Sequence, residues 1–193
     1  MIEAPRSFRL RARLRKRHRE LRRDSRRNFQ LAHYDALTGV GNRLALAEDL
    51  EAARESLNRY GSRCAVAMCD IDSFKTYNDA FGHVRGDKAL HQIAEIMQRA
   101  LRSGDRLYRY GGEEFVILLR EQTIEGAILA MQRVRCAVEA AGIRHADAAG
   151  RPFVTISAGV AELGSKDGDE TVIRRADAAL YRAKALGRNR VES

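Results

Sequence analysis

The sequence predicts an α+β fold, in which a central antiparallel sheet is flanked by helices and preceded by a helical N-terminal arm. After one leading helix, apolar runs typical of strands alternate with stretches of helical periodicity in the order β-α-α-β-β-α-β. Gly111-Gly112 separates two short apolar runs, which is typical of an antiparallel hairpin. This order indicates a ferredoxin-like layout, and we expect the helices to lie on one face of the sheet.

The first half of the folded part is predicted to contain three helices and one strand. Four leucines at helical spacing indicate a helix over 42–60, which Gly61 ends. The apolar run over 63–71 is typical of a buried strand. Helical periodicity then extends over 74–81 and 86–101, so two helices separated by a glycine are expected.

The second half is predicted to add the hairpin, two helices and two strands. The double glycine divides 107–119 into two short strands. Branched and sulfur-containing apolar residues at helical spacing predict a helix over 123–141. A strand is expected over 152–163 and a helix over 169–186, and Arg190-Val191 is expected to form a closing edge strand.

The positive charge of the chain is concentrated in its N-terminal arm. The net charge is +9, and residues 1–30 contain twelve Lys or Arg and three Asp or Glu, so the rest of the chain is neutral. A nucleic-acid-binding domain would carry positive charge on its folded body, so the composition argues against nucleic acid as a partner of that body. We therefore divide the chain into a basic helical arm or stalk, 1–33, and a folded domain, 34–193.

The role of the arm is left open by its sequence. Leucines at positions 10, 14, 21 and 31 follow an approximate heptad, which suits a stalk that pairs with a second copy of the chain. The stalk is the preferred interpretation; a solvated single helix, a segment next to a membrane span outside this chain, and a basic tail that binds an anionic membrane or nucleic acid are the alternatives. No apolar run is long enough to span a bilayer, no secretory signal is present, and the three cysteines lack metal-ligand spacing. A cytoplasmic location is therefore expected.

An acidic pair, Asp70 and Asp72, ends the strand predicted over 63–71. Buried carboxylates are costly without a cation, and Mg²⁺ prefers one or two carboxylates together with substrate phosphates. The helix that follows offers backbone N–H groups to a phosphate chain, and Lys75 adds a positive charge. The pattern alone also fits a solvated strand end or a helix cap.

Glu113 and Glu114 follow the double glycine directly. The glycines permit a tight hairpin and leave open space beside it. If the neighbouring strand is the one that ends at Asp70, then Asp70 and Glu113 can share a metal ion. A polar hairpin tip is the alternative for this tetrapeptide taken alone.

Five spaced motifs cover about residues 35–190. Residues 111–115 read GGEEF, and the other four are DALTGVGNR at 35–43, DIDSFKTYND at 70–79, GHVRGD at 82–87 and ADAALYRAKALGRN at 176–189. Together they resemble the signatures of the GGDEF family of diguanylate cyclases. The resemblance implies a nucleotide-cyclase palm, with 34–193 as a GGDEF diguanylate cyclase domain that condenses two GTP molecules into cyclic di-GMP and two pyrophosphates.

The resemblance also implies roles for individual residues at the reacting phosphates. Asp70, the backbone carbonyl of Ile71 and Glu113 would hold Mg²⁺ or Mn²⁺. Glu113, or a metal-bound water beside it, would accept the proton of the attacking 3′-hydroxyl, and Lys75 would neutralise charge in the transition state. Lys184 and Arg188 would bind phosphate oxygens.

The remaining implied contacts select the base. Asn78 and Asp87 would recognise guanine, and His83 would lie in the wall of the same pocket. A carboxylate can accept from both N1–H and the 2-amino group of guanine, a donor pair that adenine lacks, so Asp87 favours GTP over ATP. A helix-cap role for Asp87 is also open.

A cyclic product with two-fold symmetry implies two copies of the chain facing each other, hence a homodimer. Arg102 and Asp105 lie at the spacing of the family's product-inhibition site, and Arg133 is its expected third member, so cyclic di-GMP is predicted as inhibitor as well as product. A regulatory domain or a membrane segment outside this chain is a possible partner. The alternative function is a GGDEF module that binds GTP or cyclic di-GMP without turnover.

Overall fold

The computed structural model describes residues 17, 29, 31–146 and 152–193. Within them, five helices and five strands follow the flanking helical residues 31–33. In chain order they are α1 (Arg43–Tyr60), β1 (Cys64–Ile71), α2 (Phe74–Phe81), α3 (His83–Ala100), β2 (Arg106–Gly111), β3 (Glu114–Arg120), α4 (Ile124–Ala140), β4 (Ile156–Glu162), α5 (Asp169–Ala185) and β5 (Val191–Glu192).

The five strands form one sheet in the order β2-β3-β1-β4-β5. The first three neighbouring pairs are antiparallel, and the register places Asp70 of β1 opposite Glu114 of β3 and Ser157 of β4. The short closing strand β5 pairs with β4 in parallel, because α5 carries the chain back between them. The α+β prediction is confirmed, and the antiparallel prediction is correct for every strand except β5.

Helices cover both faces of the sheet, so the expectation of helices on one face was wrong. On one face α2, α3 and α4 pack against β1 residues such as Ala65, Ala67 and Cys69. On the other face α1 and α5 pack against Cys64, Val66 and Met68. Over residues 64–69 of β1 both sets of alternate side chains are apolar, so each face of this strand needs its own covering layer.

Two predicted boundaries differ from the structure by more than one residue. Helix α3 begins at His83 rather than at residue 86, because Gly82 ends α2 with a φ of 80° and α3 starts at the next residue. The strand expected over 152–163 is shorter, since Val154 bonds to the carbonyl of Ile143 rather than to β1. Residues 153–155 therefore tie the loop after α4 to the end of the sheet, and β4 begins only at Ile156.

The predicted stalk, 1–33, lies mostly outside the described residues. The part that is described joins the domain through α1, where Asn42 caps the helix and donates from Nδ2 to the carbonyl of Ala32 at 2.7 Å. In addition, His33 Nε2 lies 3.1 Å from Oε2 of Glu48, which is a residue of α1. Among the described residues, no helix has the length and apolarity needed to cross a membrane.

Candidate active site

The two acids predicted to share a metal ion lie at the same end of neighbouring central strands. Asp70 occupies the next-to-last position of β1, and the N–H of Ile71 lies 3.4 Å from the carbonyl oxygen of Glu113, in the turn between β2 and β3. The turn is tight because Gly112 adopts a φ of 50°, a conformation that glycine takes without strain. The antiparallel β1–β3 register therefore sets the relative positions of Asp70 and Glu113.

The carboxyl groups of Asp70 and Glu113 both have pKa values raised above the ordinary range. Burial is the main cause for each, and the negative charge of Asp70 raises the pKa of Glu113 further. Lys184 Nζ lies 2.9 Å from Asp70 Oδ1 and opposes the shift at Asp70. Two mutually repelling carboxylates with one lysine are a place where a divalent cation would be favourable.

The donor set fits Mg²⁺ or Mn²⁺ as the substrate's companion rather than as an ion held by protein alone. No group of three or more His, Cys, Asp or Glu side chains suited to a metal occurs among the described residues. Asp70, Glu113 and the carbonyl of Ile71 supply only oxygen ligands, and too few to fill an octahedral shell. Mg²⁺ ordinarily keeps water and substrate phosphates in its remaining positions, so these residues fit it.

The turn between β1 and α2 contains a strained residue at the predicted phosphate position. Ser73 adopts a left-handed conformation with a φ of 56°, and α2 begins at Phe74. His145, from the loop after α4, has its Nε2 3.1 Å from the Ser73 carbonyl oxygen, so this nitrogen donates in the tautomer that forms the bond. Lys75 follows on the first turn of α2 with its side chain exposed.

The residues predicted to recognise guanine meet where α2 packs against α3. Asn78 Oδ1 is buried and has no hydrogen-bond partner among the described residues. It lies against Gly86, where a Cβ atom would come within 1.9 Å of it. Asp87 follows Gly86, and His83 lies one helical turn earlier on the same face, with both side chains exposed.

Asp72, the second acid of the strand-end pair, is occupied by protein groups. Its carboxylate accepts from Thr155 Oγ1 at 2.7 Å, Ser157 Oγ at 2.7 Å and the backbone N–H of Asn189 at 3.0 Å. These bonds satisfy a residue that is only 5% exposed. Asp72 therefore joins β1 to β4 and to the loop after α5, which carries Arg188 with its side chain exposed.

Sequence reasoning missed Arg109, which supports the glycine turn. Its guanidinium donates twice to the carbonyl of Gly112, at 2.8 and 3.0 Å, and from Nη1 to Asp35 Oδ1 at 3.1 Å. Arg43 contacts the same hairpin by lying over the ring of Tyr110, 4.1 Å from its centroid. Asp35 and Arg43 belong to the first of the five motifs, which was the available signal that this motif supports the hairpin.

The residues predicted for product inhibition meet at a separate corner, where α3 leads into β2. Arg102 Nε lies 3.2 Å from Asp105 Oδ1, and Arg133 on α4 donates to the carbonyl of Ala100. The Asp105 side chain is fully buried and also accepts from Gln122. A cavity of about 570 Å³ opens beside Arg102 and extends to Phe29 and His33 near the arm.

Comparison with known proteins points to one family. The chain matches the sequence profile described as diguanylate cyclase, GGDEF domain, over residues 32–190. The diguanylate cyclase DgcP of Pseudomonas aeruginosa is 43% identical over 164 residues, which are 84% of this chain and 24% of DgcP. The response regulator PleD of Caulobacter vibrioides is 36% identical over 165 residues, 85% of this chain and 36% of PleD. The chain thus spans about a quarter of DgcP and just over a third of PleD.

Solved structures of the same family resemble the fold closely. The coiled coil and GGDEF domain of DgcB from Caulobacter crescentus, in complex with cyclic di-GMP, superposes with a TM-score of 0.83 at 30% identity, covering 95% of this chain and 98% of that one. The active GGEEF domain of a diguanylate cyclase from Vibrio cholerae gives a TM-score of 0.68 at 34% identity, covering 78% of this chain and 95% of that one.

Proposed function

Because this chain belongs to the GGDEF family, we propose that it is a diguanylate cyclase that condenses two GTP molecules into cyclic di-GMP with release of two pyrophosphates. The observation that carries the proposal is the placement of Asp70 and Glu113 at one end of the central strands, with raised pKa values and Lys184 beside them. The family and the α+β fold of the chain are the basis on which the finer roles rest.

Asp70, Glu113 and the carbonyl of Ile71 would hold Mg²⁺ or Mn²⁺ at the α- and β-phosphates. When bound, the metal supplies charge neutralisation at the phosphates. Glu113 is suited to accept the proton of the attacking 3′-hydroxyl, directly or through a water.

Three basic side chains would surround the triphosphate. Lys75 lies at the start of α2 beside the Ser73 turn and would stabilise charge that develops in the transition state. Lys184 pairs with Asp70 in this structure, and we propose that it transfers to a phosphate oxygen when nucleotide and metal arrive. Arg188 would bind a second phosphate oxygen from the loop after α5.

Guanine would bind where α2 meets α3. No donor among the described residues reaches Oδ1 of Asn78, and the 2-amino group of guanine would satisfy this acceptor. Asp87 would accept from the N1–H side of the base, and His83, one turn away, would form the wall of the pocket. Adenine would leave both acceptors unsatisfied.

Each chain would bind one GTP, so the two-fold symmetric product calls for a homodimer with the two sites facing each other. Arg102, Asp105 and Arg133 would bind cyclic di-GMP and reduce turnover, with Arg102 swinging away from Asp105 as the ligand enters. The division into an arm, 1–33, and a catalytic domain, 34–193, is part of this proposal. We also propose that the enzyme acts in the cytoplasm, where GTP is available.

The test is to incubate the purified chain with GTP and Mg²⁺ and to quantify both products. We expect one cyclic di-GMP for two pyrophosphates, no reaction with ATP and none after chelation of the metal. Glu113→Gln is expected to lower turnover at least 100-fold, and Glu95→Gln, an exposed acid on α3, serves as the matched control.

A folded, dimeric sample that binds GTP without forming product would instead support the non-catalytic module. In the same assay, added cyclic di-GMP is expected to inhibit the natural chain and to lose this effect in Arg102→Ala. Inhibition that persists unchanged in Arg102→Ala would contradict the assignment of the inhibitory site.

A further inference from the structure

The loop that carries Arg188 has a backbone that few residues adopt without support. Gly187, Arg188 and Asn189 have φ values of 112°, 62° and 49°, three consecutive residues with positive φ. Two of them are not glycine, and such conformations persist only where surrounding contacts enforce them. The orientation of the Arg188 side chain therefore depends on the contacts that hold this loop.

Asn189 is the residue through which the loop is held. Its backbone N–H donates to Asp72 Oδ2 at 3.0 Å, which fixes the loop to the end of β1. Its side chain points the other way, toward α4, where Nδ2 donates to Glu139 Oε1 at 2.7 Å and Oδ1 accepts from Arg135 Nη1 at 2.8 Å.

Arg135 and Glu139 also bind each other, since Arg135 Nη1 lies 2.8 Å from Glu139 Oε2, one helical turn away. The three side chains thus form a closed ring, which we call the α4 clamp: Arg135, Glu139 and Asn189. An amide is the group that fits, because it offers an acceptor to the arginine and a donor to the glutamate at once. Arg135 is 16% exposed at its side chain, so this ring is partly shielded from solvent.

We propose that Arg135 and Glu139 are positioning residues for the phosphates of GTP, acting through Asn189 to hold Arg188 in its binding orientation. This inference rests on the proposed function, and it adds a helix that none of the five motifs includes. Neither residue needs to touch the nucleotide. Their effect is to keep a strained loop in the one conformation from which the Arg188 guanidinium reaches the phosphate side of the site.

The clamp can be broken without changing the backbone preference of residue 189. Asp tolerates positive φ much as Asn does, so Asn189→Asp keeps the loop geometry accessible but sets a carboxylate against Glu139. Adding Glu139→Gln restores a donor opposite the new acceptor, and Arg135 still has an acceptor. The double variant therefore rebuilds the ring with the roles reversed: position 139 now donates and position 189 now accepts.

The measurements are GTP binding by calorimetry in Mg²⁺, and hydrogen exchange of the backbone amides at 188–190. We expect Asn189→Asp to weaken GTP binding about tenfold and to accelerate exchange at 188–190. Asn189→Asp with Glu139→Gln is expected to bind within about threefold of the natural chain. Glu95→Gln, which breaks an exposed ion pair with Arg99 on α3, is the control and should change neither quantity.

Natural affinity and natural exchange in Asn189→Asp would overturn the inference, as would a double variant that is no better than the single one. If the clamp were merely structural, the single variant would lower the unfolding temperature while the folded fraction kept its GTP affinity. If the natural chain failed to bind GTP, the proposed function would fall, whereas the exchange data would still report whether α4 holds the loop.

Discussion

Single residues in this domain fix the shape of the glycine turn between β2 and β3, on which the candidate chemistry depends. Asp35 and Arg109 support the glycine turn, since Asp35 accepts from Thr38 and Arg109, and Arg109 in turn holds the carbonyl of Gly112. The turn carries Glu113, so an acid more than seventy residues earlier in the chain influences the placement of the proposed base. This connection follows from contacts rather than from any chemical role of Asp35.

Asp35→Asn is predicted to cost stability in a pH-dependent way. Burial alone would raise the pKa of Asp35, but hydrogen bonds from Thr38 and the charge of Arg109 lower it below the ordinary 3.8. The unfolded chain therefore binds a proton more readily, so the stabilisation is complete above about pH 4 and is lost as the pH falls through the lowered value. We expect Asp35→Asn to reduce the free energy of unfolding by about 1–3 kcal/mol at pH 7 and by less below pH 4.

Urea unfolding at several pH values measures this difference. Glu55→Gln, an exposed acid on α1, is the control and should stay within about 0.5 kcal/mol of the natural chain. A deficit of the same size at pH 7 and at pH 3 would show that the charge of Asp35 is not what stabilises the turn.

Gly86 is predicted to matter because it leaves room for Asn78. A Cβ atom at this position would lie 1.9 Å from Asn78 Oδ1 and 3.0 Å from its Cγ, so Gly86→Ala must displace the amide. We expect weaker GTP binding by about tenfold and a smaller preference for GTP over ATP, because the lost contact is a hydrogen bond to the base. Gly126→Ala on α4, where the nearest atom is 3.4 Å away, is the control. Unchanged base preference in Gly86→Ala would remove Asn78 from the guanine site.

Sequence alone predicted the residues of the candidate site that belong to long motifs, but not the contacts that hold them. Asp70 and Glu113 are separated by more than forty residues, and the motifs implied their proximity, which the β1–β3 register provides. The bonds of Asp72 to Thr155, Ser157 and Asn189 could not be predicted, because nothing local in the sequence links these positions. Asp105 was expected to face a ligand, and its burial became visible only with Arg102 and Gln122 in place.

At the scale of elements, the packing of α5 on β4 brings Lys184 to Asp70. Gly159 makes the close approach possible, since a Cβ atom there would lie 2.1 Å from the backbone oxygen of Ala176 and 2.1 Å from the backbone nitrogen of Leu180. Backbone atoms of a packed helix cannot yield as a flexible side chain does. The distance between helix and strand is therefore set by a single missing side chain.

Gly159→Ala is accordingly predicted to push α5 away from the sheet. We expect a loss of about 1–3 kcal/mol in the free energy of unfolding, the usual cost of overpacking, together with weaker GTP binding because Lys184 moves with the helix. Gly104→Ala is the control, since no heavy atom of the described residues lies within 4 Å of its Cβ position and its φ is not positive. Equal stability of the two variants would contradict the close contact.

The layer arrangement shows which part of the fold the sequence could predict. Element types and most boundaries followed from periodicity and glycine positions, as in α2 and the hairpin. The two-sided covering of the sheet was missed, although the signal was present: 64–69 is apolar at every position, whereas a strand covered on one face alternates. The late start of β4, at residue 156 instead of 152, had no such signal, because Pro152 and Val154 bond to the loop after α4.

At the scale of the whole molecule, the described residues form one candidate site for GTP, and those near the arm are joined to α1. Asn42 bonds to Ala32, and His33 stacks on Phe29, with ring centroids 4.1 Å apart, while it pairs with Glu48. A rotation passed on by residues 31–33 would reach α1, whose Arg43 contacts the glycine hairpin through Tyr110. In the proposed homodimer, pairing of two arms would set how the two sites face each other.

The dependence of turnover on protein concentration tests this arrangement. If each GTP attacks the α-phosphate of the other across two chains, the rate per chain must rise with concentration while dimers form and level off once dimerisation is complete. Removal of residues 1–30 is expected to move this rise to higher concentration, since less surface holds the dimer. GTP binding by the single chain should stay unchanged, because Asp70, Asn78 and Asp87 lie outside the removed segment.

Sedimentation at the same concentrations supplies the dimer fraction against which the rate is compared. A rate per chain that stayed constant while sedimentation showed dissociation to monomers would mean that one chain completes the reaction, and the facing-site arrangement would have to be abandoned.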